Sequence, residues 1–163
     1  MDRTVGGNII VGIDCGVNGG IAFYLPANRE VYAIPMPSTI KEIECALKFA
    51  QYNSMVYVED VPPFVGANRP AARIFKLAKN FGIILGLLEA LNMNYKLVRP
   101  AVWMKFLDTN RKIHYKTDNE WKNYLKKLAM IYFPTSKITL KTADALLILE
   151  YGMQQFYSEA CDE

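Results

Sequence analysis

Three carboxylates stand in this sequence where an acid is costly. Asp14 ends an aliphatic run (Ile9, Ile10, Val11, Ile13) and is followed at once by Gly16, Gly19 and Gly20. Glu59 and Asp60 end a second run, Met55 to Val58, and Asp144 falls early in the helical segment LKTADALLILEYG. A carboxylate among core-strand side chains must be paired, hydrogen-bonded or bound to a cation, because burying it alone costs several kcal/mol or forces it to protonate. Neighbouring strands of one sheet bring Asp14 and Glu59 to the same edge, while alternation turns Asp60 away. Two such acids share either a proton or a divalent cation, and Mg²⁺ prefers carboxylate oxygens, waters and substrate phosphates. Asp144 sits in a first helical turn, where the macrodipole favours an anion, with Ala143 and Ala145 leaving room beside it. Taken singly, each acid also has a plain reading: a turn-forming Asp, a loop-edge Glu, a capping Asp.

Other chemistries find little support. The single histidine, His114, argues against a His-based triad or a zinc site. Cys15, Cys45 and Cys161 form no CxxC pair, which points to a reducing, intracellular setting. There is no secretory leader pattern, and the most apolar stretch, Phe81 to Leu91, is short and broken by Glu89, so neither secretion nor a membrane span is expected. The net charge is only +3. Distribution says more, since Lys96 to Lys127 holds nine Lys or Arg against three acids, a candidate phosphate-facing surface that includes Lys105, Arg111, Lys112 and Lys116. A solvated helix face would look the same. The loop Val61 to Arg69 carries Phe64 behind Pro62 and Pro63, an aromatic that would either stack on an unpaired base or plug the core. Arg69, at the end of that loop, is a further candidate contact.

These residues need elements to place them, and 163 residues supply one domain with a sizeable core. Strands are expected at 9–14, 20–25 and 30–35, joined by short turns and therefore antiparallel. A helix capped by Ser38 or Thr39 then runs to about Ala50, burying Ile40, Ile43, Ala46, Leu47 and Ala50. A strand at Met55–Val58 follows, then a helix from Pro70 to about Asn92. Its stripe of Ile74, Leu77, Phe81, Ile84, Leu85, Leu88 and Leu91 should cover the sheet. From Phe81 onward that helix is apolar on its other side too, with Gly82 and Gly86 offering a close-approach face. This suits a homodimer contact through helix 70–92, or burial within one chain. A strand at Tyr95–Val98, a helix from Pro100, and an amphipathic helix at Asn119–Phe133 come next. That last helix points Trp121, Tyr124, Leu125, Leu128 and Ile131 inward, and Lys122, Lys126 and Lys127 outward. The final helix spans about Lys141 to Tyr157.

The ordered set GIDCGVNGGIA, VYVEDV with a following Phe, KLAKNFGIILGLLEAL, VRPAVWMKFL and KTADALLILEYG resembles the RuvC-type Holliday junction resolvases, particularly their short viral and phage-like relatives. The resemblance covers about residues 9 to 155. It implies an α/β, ribonuclease H-like fold, a mixed five-stranded sheet flanked by helices, acting as a homodimer that cuts two opposed strands of a four-way DNA junction. It assigns Asp14, Glu59 and Asp144 to two Mg²⁺ ions about 4 Å apart, with Mn²⁺ as a substitute, for in-line hydrolysis leaving a 5′-phosphate. Phe64 lies near the family's junction-contacting aromatic, displaced by a short insertion. One departure is Lys141, which stands three residues before Asp144 where the family usually has Asp or His. Three carboxylates then suffice, Lys141 stabilises the phosphate, or metal binding weakens. The competing readings are a branched-DNA binder with little or no activity and a ribonuclease H-like nuclease for RNA/DNA hybrid. Sugar kinases and actin-like ATPases share the first hairpin but need a second domain, for which the chain has no room.

Overall fold

The computed structural model describes residues 8–62, 70–107, 109, 115 and 117–161. Its centre is a five-stranded sheet ordered β3-β2-β1-β4-β5, comprising β1 (Ile9–Asp14), β2 (Gly20–Leu25), β3 (Glu30–Pro35), β4 (Ser54–Glu59) and β5 (Asn94–Val98). The first three strands are antiparallel neighbours; β4 and β5 are added in parallel beside β1. Parallel neighbours need covered crossovers, and α1 (Ile40–Phe49) and α2 (Ala71–Ala90) supply them on one face. Both return to the sheet through an asparagine of positive φ, Asn53 before β4 and Asn92 before β5, a conformation asparagine tolerates better than most residues. α3 (Pro100–Phe106), α4 (Asp118–Tyr132) and α5 (Ala143–Glu159) lie on the other face.

Strand alternation divides the core in two. Val11, Ile13, Ile21, Val56 and Val58 meet α1 and α2, whereas Ile10, Ala22 and Tyr57 meet α3, α4 and α5. Covered on both faces, β1 reads as a nearly unbroken aliphatic run. Gly12 breaks it for a steric reason: a Cβ there would lie 2.5 Å from Ala145 O and Leu149 N. Helix α5 therefore rests directly on the backbone of β1. It is buried nearly all round over Ala145–Leu149, and Gly152 makes room for the Tyr57 ring.

Helix α1 begins at a capping box in which the Thr39 side chain accepts from Glu42 N while the Glu42 carboxylate accepts from Thr39 N. Ile43, Leu47 and Ala50 are buried as expected, but Ile40 is half exposed, being on the first turn before the helix reaches the sheet. The α2 stripe is also shorter than its spacing predicts. Ile84, Leu88 and Leu91 are buried, while Ile74 and Leu77 are only partly covered and Phe75 is 68% exposed. Among the described residues, nothing lies within 4 Å of a Cβ added at Gly82 or Gly86. In α4, Ala129 takes the inward place expected of Ile131, which is 74% exposed; the buried line runs Trp121, Leu125, Ala129 and on to Phe133.

Candidate functional site

The register of β1 on β4 pairs Ile13 with Val58, which sets Asp14 beside Glu59 at the carboxyl end of two parallel strands. Asp14 has the facing of Ile10 and Gly12, and Glu59 that of Tyr57, so both carboxylates point to the α5 side. Asp144, the second residue of α5, arrives there because Gly12 lets that helix settle onto β1. The two strand acids and the helix acid thus share one end of one face. Asp60 turns away, with Oδ2 3.9 Å from Arg99 Nε.

Each strand acid is held by a specific donor. Gly16 N donates to Asp14 Oδ1 at 2.9 Å inside the tight turn, and Gly19 closes it: a Cβ at residue 19 would fall 2.5 Å from Asp14 Oδ2. Trp103 Nε1, on α3, donates to Glu59 Oε1 at 3.1 Å from a fully buried ring. These donors do not neutralise the site. Burial, with the charges of Asp14 and Asp144, pushes the Glu59 carboxyl up to about 8 against the lowering effect of Trp103. Burial raises Asp14 as well, opposed by the Gly16 N–H and the Lys122 charge. Acids raised by desolvation and mutual repulsion are poised to accept a cation.

All three donors are carboxylates, which suits a hard divalent ion rather than zinc. Among the described residues, however, no group of three or more His, Cys, Asp or Glu side chains is placed so that it could hold a metal ion as it stands.

Lys141 is exposed in the turn before α5 rather than on its first turn, since the helix starts at Ala143 after the N-cap Thr142. That turn is fixed by Thr139 and Thr142, each backbone N–H donating to the other's hydroxyl, at 3.0 and 3.3 Å. Lys105 is exposed on α3. Phe64, Arg69, Arg111, Lys112 and Lys116 lie outside the described residues. The basic stretch is not one surface: Lys96 is committed to Glu159 at 2.7 Å, toward the opposite end of the sheet from Asp14. Lys122, assigned only to an outward helix face, lies near enough to act on Asp14.

Trp103 is the site residue the sequence reading missed. A buried indole N–H requires an acceptor, and a Trp following a strand that pairs with an acid-ended strand is the signal that could have found it. Gly12 is the second, because a glycine inside an aliphatic strand marks a close approach.

No protein-family model matches the sequence, and no curated protein matches it. Solved structures do match in fold. Thermus thermophilus RuvC bound to a Holliday junction substrate aligns at 13% identity and a TM-score of 0.58, covering 94% of this chain and 96% of the other. A further T. thermophilus RuvC structure gives 17% and 0.53, with 93% and 96% covered. Fowlpox virus resolvase with Holliday junction DNA gives 15% and 0.40, with 92% and 97% covered, too loose a match to add to the argument. The fold is therefore the ribonuclease H-like fold of RuvC, over nearly the whole length of both chains.

Proposed function

We propose that this protein is a metal-dependent nuclease that cuts branched DNA, resolving four-way junctions by paired nicks as a homodimer. The observation that carries this reading is the convergence of Asp14, Glu59 and Asp144 from two parallel strands and the helix lying across them, on a fold shared with RuvC. A T. thermophilus RuvC solved with its junction substrate supports the choice of DNA.

Asp14, Glu59 and Asp144 would hold Mg²⁺ or Mn²⁺. When bound, such ions activate a water and stabilise the leaving 3′ oxygen of a phosphodiester. The chain's own residues do the positioning. The Gly16 N–H and the Trp103 indole keep two carboxylates in fixed orientations, so little order has to be gained when the substrate arrives. Lys122 offers a cation beside Asp14 for the incoming phosphate, and Lys105 adds sequence-independent backbone attraction. The exposed side of α2, with Phe75, Gly82 and Gly86, is the contact we assign to the second subunit; two copies then present two sites with the two-fold symmetry of a junction.

End-labelled synthetic four-way junctions, linear duplex and RNA/DNA hybrid of matching sequence test this, each with Mg²⁺ or EDTA. Paired nicks confined to the junction, dependent on metal and reduced about a thousandfold by Asp144→Asn, are the expected result. The open carboxylate arrangement and Lys141 favour one alternative, a junction binder without activity. Junction binding with no nicks in either metal would establish it, and cleavage of the hybrid alone would replace both.

A further inference from the structure

The carboxylates occupy one face of the sheet. At the same end, on the opposite face, a cleft of about 260 Å³ opens between α1 and α2. One wall is Val17, in the glycine turn whose Gly16 N–H holds Asp14. Ser38 and Ile40 form the second wall at the start of α1, and Lys76, Lys79 and Ile83 form the third along α2. Asn80 Nδ2 donates to Cys15 O at 2.8 Å and so fixes this stretch of α2 to the residue next to Asp14. Neither lysine is paired with a carboxylate among the described residues, although α1 nearby engages Lys41 and Lys48 through Glu44. Val17 and Ile40 are both more than half exposed, apolar side chains beside Lys76 and Lys79 in the cleft.

Charge and place together select the occupant. A polyanion crossing this end of the sheet meets Lys122 on the carboxylate face, then the carboxylates, then Lys76 and Lys79 on the far face. Phosphates alone would need only the lysines. The apolar walls at Val17 and Ile40 add a surface for a base that has left its stack.

We propose that this cleft takes an unpaired nucleotide of the strand being cut, its base on Val17 and Ile40 and its phosphates on Lys76 and Lys79. The inference deepens the nuclease reading and rests on it for the identity of the strand. It also extends the basic surface beyond residues 96–127, to a helix assigned so far only packing and dimer contacts.

The test is binding of a fluorescein-labelled four-way junction, and separately of a labelled single-stranded oligonucleotide, in Ca²⁺ at several salt concentrations. Wild type is compared with K76Q/K79Q and with Ile40→Glu, all exposed positions, and light scattering follows the subunit number. The double variant should bind both probes about tenfold more weakly, with a salt slope shallower by about 1.5, the value for two phosphate contacts at about 0.7 to 0.9 each. Ile40→Glu should weaken binding of both probes as well, and 2-aminopurine placed beside the cut should brighten on binding wild type but not Ile40→Glu. Unchanged affinity and slope in K76Q/K79Q would overturn the proposal, as would a loss that accompanies dissociation into single subunits, which would make the cleft a subunit contact. Failure of wild type to bind the junction would instead count against the nuclease reading. The single-stranded probe still decides the cleft in that case, through retention or loss of binding in the double variant.

Discussion

The two faces of the sheet are covered in different ways. On one, α1 and α2 pack by side chains, with Ile43, Leu47, Ile84 and Leu88 against Val11, Ile13, Val56 and Val58, and α2 leaves much of its length uncovered. On the other, α5 meets the backbone of β1 at Gly12 and is buried nearly all round. Side-chain packing tolerates repacking, because neighbouring rotamers can shift. Backbone contact does not, and the face built that way carries the acids. Where a group must be placed to a fraction of an ångström, the fold removes the side chains that would give the helix freedom to move.

The sharpest way to break this contrast is Gly12→Ala. The new methyl would press on main-chain atoms of Ala145 and Leu149, so a loss of about 3 kcal/mol or more is expected in urea unfolding, together with loss of cleavage as Asp144 moves off the strand acids. If Gly12→Ala folds and cuts normally, backbone contact is not what sets the site.

The second effect is electrostatic and belongs to the acid-bearing face alone. With its carboxyl raised to about 8, Glu59 binds a proton in the folded state that the unfolded chain has released above the ordinary 4.5. Its contribution to stability is then fully present below pH 4.5 and lost as pH rises through 8. Metal-free wild type should lose urea resistance between pH 5 and 9 more steeply than Glu59→Gln, and Mg²⁺ at pH 9 should restore part of the loss. Equal slopes for the two proteins would mean that Glu59 is not held in this environment.

A smaller effect is expected from Trp103→Phe, which keeps an aromatic ring but removes the donor to Glu59. The half-saturating Mg²⁺ concentration for nicking should rise about tenfold, on the scale seen when partners of metal ligands are removed, while the melting temperature falls by only a few degrees. In a Trp121→Phe background, emission from Trp103 should respond to Mn²⁺, and no response would separate the indole from the metal site. The smallest effect lies on the other face. Gly82→Ala meets nothing within 4 Å, so it should stabilise the isolated chain by about 0.5 to 1 kcal/mol through helix propensity. The same change in an intact dimer should cost affinity between subunits if α2 is the contact, a difference that dilution series of the two proteins would measure.

Local features were legible in the sequence wherever neighbours in the chain decide them. The bounds of β1, β2 and β3 agree with the expected ones because aliphatic runs alternate there with strong turn residues, and Thr39 with Glu42 announces the start of α1. What escaped depends on partners far along the chain. Apolar periodicity in α2 and α5 looks alike, yet only α5 is enclosed, and the reason is a glycine on β1. Ile131 keeps helical spacing with Leu128 and still faces solvent, because it lies on the far side of α4 from the buried line of Leu125, Ala129 and Phe133. The carboxylates could be picked out as acids at strand ends and in a first helical turn. The indole that orients one of them is visible in the sequence only as a tryptophan after β5 in want of an acceptor; that the acceptor is Glu59 depends on a contact across 44 residues.

The placement of Asp14 on β1 and Asp144 on α5 has a consequence for timing. The candidate centre joins the first described strand to the last described helix, so its contacts are among the longest in sequence that this chain can make. During synthesis, the hairpin strands and α1 can form while the rest is still being made. The acids then remain an incomplete pair until α5 emerges and docks on Gly12. The set of three acids is therefore assembled late in folding, when the helix that carries Asp144 has docked on the strand that carries Asp14.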